Sequence, residues 1–145
     1  MGDRYLFRGK RIDNGEWVEG SLVTGVFFRL GQEIPYMFCP NLADYDCFED
    51  FSEENGIFEV EPSTICQCTG LKDKNGKLIW ENDMIKAWSQ GTCAKGKIKQ
   101  RIDGTWIMYP AWQKGEMWYL FPDNNGETTV EVIGNVFDNP ELLEV

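Results

Sequence analysis

Gly70-Leu71-Lys72-Asp73-Lys74-Asn75-Gly76-Lys77-Leu78-Ile79-Trp80-Glu81-Asn82-Asp83-Met84-Ile85-Lys86-Ala87-Trp88 sets two short apolar runs between polar turns, and its reading decides the fold. Asn75-Gly76 is a strong hairpin signal, because both residues tolerate the positive φ of a type I′ turn. Leu71 before it and Leu78-Ile79-Trp80 after it supply apolar partners for a tight reversal. Glu81-Asn82-Asp83 forms a second polar break, and Met84 to Trp88 reads as another strand. Asp83 is expected to form that turn, since its carboxylate can accept from nearby backbone N–H groups.

The same punctuation recurs along the chain. Asn14-Gly15, Asn55-Gly56, Asp103-Gly104 and Asn125-Gly126 also stand between runs rich in aromatic and β-branched residues, which predicts successive hairpins and a mostly all-β fold. Tyr5 to Arg8 and Trp17 to Val23 flank the first turn. Val26 to Leu30 and Pro35 to Cys39 are further strand candidates around Gly31-Gln32-Glu33, with Pro35 confined to a strand start or an edge. Residues 41–55 break the rhythm: Leu42, Tyr45, Phe48 and Phe51 recur every third residue among acids, which predicts one short acidic helix. Glu61-Pro62-Ser63 reads as a boundary between an N-terminal β region, 1–62, and a second region, 63–145. Beyond it the pattern predicts strands at 96–102, 105–112, 117–121 and 128–137, the count of a small bent barrel, with Gly91, Gly96 and Gly134 available for bends or bulges. Asn139-Pro140 opens a single helical turn at the end.

An apolar content of 42% and an aromatic content of 14% predict a packed globule rather than a disordered chain. The formal net charge is −10, a field that disfavours nucleic acid, and the densest cationic stretch, Lys95 to Arg101, alternates like a half-exposed strand. No apolar run approaches the length of a membrane span and the first residues lack a signal-peptide core, so a cytoplasmic protein without membrane contact is expected. The five cysteines, an odd number without an export signal, are expected as free thiols.

Histidine is absent, which removes the Ser-His-Asp and Cys-His nucleophile arrangements and every imidazole metal site. Cys66 and Cys68 are too closely spaced for a thiolate zinc framework and fit packing on one strand face. Asp44 to Asn55 fails the calcium-loop register, with Glu49 where the glycine belongs. No cofactor or metal is therefore expected. Glu81 and Asp83 form the one candidate carboxylate pair for an enzyme acting on a small molecule, but two acids flanking a turn more often shape the turn. Trp106, Tyr109, Trp112, Trp118 and Tyr119 crowd one span, and Trp106 and Tyr109 have opposite parity along a strand, so one face must carry aromatics outward. Those five residues are the candidate interaction surface, for a protein partner or a homo-oligomer, with Asn75, Gly76 and Asp83 as structural turn residues.

Three segments together resemble one family. They are Arg8-Gly9-Lys10-Arg11 with Gly15-Glu16-Trp17-Val18-Glu19-Gly20; Thr69 to Lys77 with Glu81-Asn82-Asp83-Met84-Ile85; and Val132-Ile133-Gly134-Asn135-Val136-Phe137-Asp138-Asn139-Pro140-Glu141-Leu142. They resemble the YopX family, proteins of bacterial prophages and mobile elements. The resemblance implies an all-β protein whose second half is a small SH3-like barrel, and an accessory role with no assigned biochemical activity. Asn82 departs from the glycine usual there, and Cys66 and Cys68 from the usual non-cysteine residues. The first departure leaves the turn intact; the second argues against a family-wide metal site. An acidic anti-host protein that mimics nucleic acid is a further alternative, resting on the net charge alone.

Overall fold

A computed structural model describes residues 5–39, 56–112 and 115–143. The expected acidic helix at 41–55 falls outside those residues. The described strands form two antiparallel sheets, and the chain divides into two compact units, Tyr5–Gln67 and the residues from Cys68 onward.

In the first unit, β1 (Phe7–Lys10), β2 (Trp17–Arg29), β3 (Gln32–Phe38) and β4 (Ile57–Glu59) lie in the order β4-β3-β2-β1, and β5 (Cys66–Lys72) begins against β1. The two expected strands at 17–23 and 26–30 are one strand, β2, whose register is interrupted between Val23 and Phe27 around Gly25 at φ +75°. The reversal after it uses only two residues, Leu30 at φ +53° and Gly31 at φ +81°, so Gln32 and Glu33 belong to β3 and not to a loop. Paired positive φ values suit the twist of the strands, which is why so short a connection works. Pro35 lies inside β3 between two neighbouring strands, where the sequence placed it at a start or an edge. It faces the register break in β2, so no ladder bond is lost for want of its N–H. Val18, Met37, Cys39, Phe58 and Val60 make the core, with Phe7, Leu22 and Ile65 packed on it. The 3-10 turn Pro62–Thr64 is tied in by Thr64, whose hydroxyl accepts from Lys10 N at 2.9 Å and donates to Glu61 O at 2.7 Å.

The second unit continues from the end of β5 through β6 (Leu78–Trp80), β7 (Asp83–Ser89), β8 (Thr92–Gln100), β9 (Trp106–Tyr109), β10 (Trp118–Tyr119) and β11 (Glu131–Asn135). Its sheet runs β10-β9-β8-β7-β11. Among the described strands nothing pairs β10 with β11, so the sheet is open and the expected closed SH3-like barrel is corrected. Pairing along β10 covers only two residues, and Phe121 at φ +50° then turns the chain away before a second row of bonds can form. Ile79, Ile85, Ala87, Ala94, Ile98, Met108, Leu120 and Val130 form the core. Gly134 marks a bulge in the β7–β11 register, and a Cβ there would stand 2.4 Å from Asn139 Oδ1, so any other residue would have to displace the Asn139 side chain. Asn139 then opens the closing 3-10 turn Pro140–Leu143, with Leu142 N donating to Asn139 O at 3.0 Å.

The Asn-Gly and Asp-Gly reversals of this unit are not type I′ turns. At Asp73, Arg101 and Asp123 the first residue's carbonyl accepts from the glycine N–H (3.0, 2.9 and 3.0 Å), and its own N–H donates one residue beyond the glycine (2.8, 2.8 and 2.9 Å). Only the glycine has positive φ, so each is a type I turn closed by a glycine bulge. Asparagine or aspartate precedes the glycine in all three, but the longer loop leaves it in ordinary right-handed space.

Candidate functional site

The five aromatics of the second sheet divide by face. Trp106, Trp112 and Trp118 are half-buried against the core, whereas Tyr109 and Tyr119 are 36% and 38% exposed on the other side. Strand parity causes the split: Trp118 pairs with Met108 of the core cluster and Tyr119 with Ile107, which is also buried but on the opposite face. The two Trp rings of 112 and 118 meet edge to face at 5.4 Å, and Phe121 adds its ring at 5.5 Å from Trp118 and 6.1 Å from Tyr119. Phe121, 68% exposed, thus joins the group although the sequence reading left it out, as its positive φ has no sequence signature. The indole Nε1 of Trp112 is buried without an acceptor among the described residues. Arg101 lies over the Tyr119 ring, 5.6 Å from its centroid, and its guanidinium donates to the Tyr119 hydroxyl. The candidate surface is therefore narrower than the five residues suggested: Tyr119, Phe121 and the 44% exposed Met117 are what the β10 edge shows to solvent.

The turn residues are held by buried carboxylates. Asp83 is 2% exposed and its Oδ2 accepts from Trp80 N at 2.8 Å, three residues back, while Asn82 between them has φ +69°. Asparagine thus occupies a left-handed position that glycine would fill equally well. Asp73, which the sequence reading passed over, does more: Oδ1 accepts from Asn75 N and Lys77 N at 2.9 Å each, and Oδ2 from Val132 N at 3.0 Å. Two of those bonds follow from local Asx geometry, but the third comes from fifty-nine residues away and has no local signal. The Asp83 carboxylate is likewise engaged by backbone, and Glu81 beside it is half-buried.

Cys39, Cys66 and Cys68 are buried, Cys93 is exposed, and all four are free thiols. Cys47 lies outside the described residues. Burial pushes the Cys39 thiol up to about 11, with Glu19 adding to the rise and Arg11 opposing it. Cys66 Sγ donates to Thr64 O at 3.2 Å, which serves packing. Among the described residues no group of three or more cysteines and acids is arranged to hold a metal ion, and no helix is long and apolar enough to cross a membrane.

Fold and surface define an all-β protein of two antiparallel sheets whose polar turns are closed by its own carboxylates. Residues 6–144, nearly the whole chain, match the family model described as YopX protein. The chain belongs to the YopX family. No curated protein matches it.

Proposed function

We propose that this protein is a phage- or prophage-associated accessory factor of the bacterial cytoplasm that acts by binding, without catalysis, to another protein or to a second copy of itself. The contact surface in this reading is the β10 edge, where Met117, Tyr119 and Phe121 stand exposed beside the Trp112–Trp118 pair. One observation carries it: Phe121, an aromatic residue, is held 68% exposed in a left-handed backbone conformation at the β10 edge, its ring 6.1 Å from that of Tyr119. Exposed aromatics rimmed by polar groups are the usual anchors of protein interfaces. The sheet also supports an SH3-like reading in strand order, a four-strand meander whose fifth strand returns beside the first. Phe121→Ala combined with Tyr119→Ala should abolish self-association in light scattering, or capture of a partner from prophage-carrying cells, while leaving the melting temperature within a few degrees. A wild-type chain that runs as a monomer and captures nothing the double variant loses would overturn this reading.

A further inference from the structure

A second surface, on the broad outer face of the same sheet, has a different chemistry. β8 alternates: Ala94 and Ile98 point into the core, and Lys95, Lys97 and Lys99 point out, with Arg101 continuing the row. A Cβ on the inward Gly96 would stand 2.2 Å from Pro110 O, so this strand is pressed close to the chain behind it. Cross-strand register completes the outer face. Lys86 of β7 stands across from Lys95, Tyr109 of β9 across from Lys97, and Tyr119 lies beyond Lys99, while Met84 across from Lys97 and Ile107 across from Lys99 are buried between these longer side chains at 2% and 3% exposure. Five of the fourteen Lys and Arg residues of an acidic chain thus share one face. Two acids adjoin it, Glu131 across from Lys86 and Asp103 at 3.8 Å from Arg101. Among the described residues, Lys86, Lys95, Lys97 and Lys99 have no carboxylate within ion-pair distance.

The geometry points to a binding face for single-stranded nucleic acid. Alternate residues on a strand place the three lysines about 6.8 Å apart, a separation comparable with that of successive phosphates along an extended single strand. Each exposed ring of the face has a cation beside it: Lys99 Nζ is 5.4 Å from the Tyr109 centroid, Arg101 is over Tyr119, and Lys74 Nζ is 4.4 Å from the centroid of Trp88, itself 40% exposed. Phosphate ligand and stacking surface therefore sit side by side, the combination that single strands need and that a duplex, with its bases turned inward, does not use. A protein partner fits less well, since lysine is depleted from the centres of protein interfaces. The −10 net charge acts at long range and is screened beyond about 8 Å at physiological ionic strength, whereas contact with the lysine row is not. This inference goes beyond the β10-edge reading: the two share Tyr119, but the lysine row and Tyr109 belong to this face alone.

Fluorescence anisotropy on the full chain tests it, with a labelled oligo-dT of about 15 nucleotides, the same strand in duplex with oligo-dA, and poly-glutamate as a competitor. The single strand should bind saturably, and affinity should fall steeply between about 50 and 200 mM salt. Lys97→Glu with Lys99→Glu should weaken binding at least tenfold, Tyr109→Ala about tenfold, and Lys95→Gln should lower the salt slope by about one. Phe121→Ala should leave the affinity unchanged, which separates this face from the β10 edge. If the charge reversals prevent folding by circular dichroism, Lys97→Gln with Lys99→Gln replaces them with the same direction expected. The proposal is overturned by no binding at low salt, by duplex or poly-glutamate binding as well as the single strand, or by folded lysine variants of unchanged affinity.

Discussion

In the first unit the β2–β3 hairpin carries Val26 and Phe28 at 60% exposure and Leu30 at 100%, and Asp13, in the β1–β2 turn, stays at the surface, paired with Arg11 at 2.6 Å. In the second unit the sheet encloses eight fully or nearly buried apolar residues, and two of its turn acids, Asp73 and Asp83, are buried at 2% exposure, while Asp103 and Asp123 stay at the surface. Both are antiparallel hairpin structures from the same kind of sequence. The difference lies in what closes the turns at Asp73 and Asp83. An exposed ion pair contributes little because water screens it. A buried carboxylate that gathers several backbone donors fixes its turn firmly, since leaving those donors unmatched is costly. The buried turn carboxylates thus belong to the second unit, while both units leave some apolar side chains uncovered, Leu30 in the first and Ile102 and Phe121 in the second.

The largest test of this contrast is in the two cores. Ile98→Ala should cost about 4 kcal/mol and Met37→Ala about 3 kcal/mol, with hydrogen exchange reporting which amides lose protection. If both substitutions expose the same amides equally, the two units unfold together and the contrast does not extend to stability. Asp73→Ala should cost about 3 kcal/mol by leaving the N–H groups of Asn75, Lys77 and Val132 without their acceptor. A denaturation midpoint unmoved by this change would remove the buried carboxylate from the explanation.

The first unit makes a pH prediction. The Cys39 thiol is raised from 9.0 to about 11, so the unfolded chain releases its proton first as pH rises. The contribution of the neutral buried thiol is whole below pH 9 and is lost toward pH 11, a fall of roughly 2 kcal/mol. Cys39→Ala should flatten that limb of the stability curve, and a wild-type curve already flat to pH 11 would contradict the cause given. Leu30→Asn should stabilise by about 1 kcal/mol, because asparagine tolerates a φ of +53° that leucine resists. Asp13→Ala should change stability by about 0.5 kcal/mol or less. A larger loss would show that the exposed pair in the first unit works harder than the contrast allows.

How much of this was legible in the sequence depends on the range of each interaction. The glycines at 76, 104 and 126 marked reversals correctly because a positive φ is a local demand. The reversal at Gly31-Gln32-Glu33 was expected, but its tightening to Leu30-Gly31 was not, since leucine carries no signature of the left-handed conformation it adopts there. Nor was the merging of two expected strands into β2, which depends on Gly25 bending a strand without ending it. Tyr109 could be assigned to the opposite face from Trp106 by parity alone. Whether β10 would meet β11 to close a barrel depends on where Phe121 sends the chain, and nothing local to either strand encodes it. In the candidate surface the tyrosines were therefore readable and Phe121 was not. The lysine row at 95, 97 and 99 was visible as alternation, but only the register placed Lys86 and Tyr109 beside it.

The bond from Val132 N to Asp73 also orders events during synthesis. β7, β8 and β9 pair with near neighbours and can assemble as the chain leaves the ribosome, by local closure alone. The Asp73 carboxylate has to wait for a donor fifty-nine residues later, and β11 reaches β7 only after β8, β9 and β10 have been made. Until then one side of β7 is an open edge, available to any other unfinished chain nearby. Synthesis of Glu131–Asn135 is the step that removes that hazard.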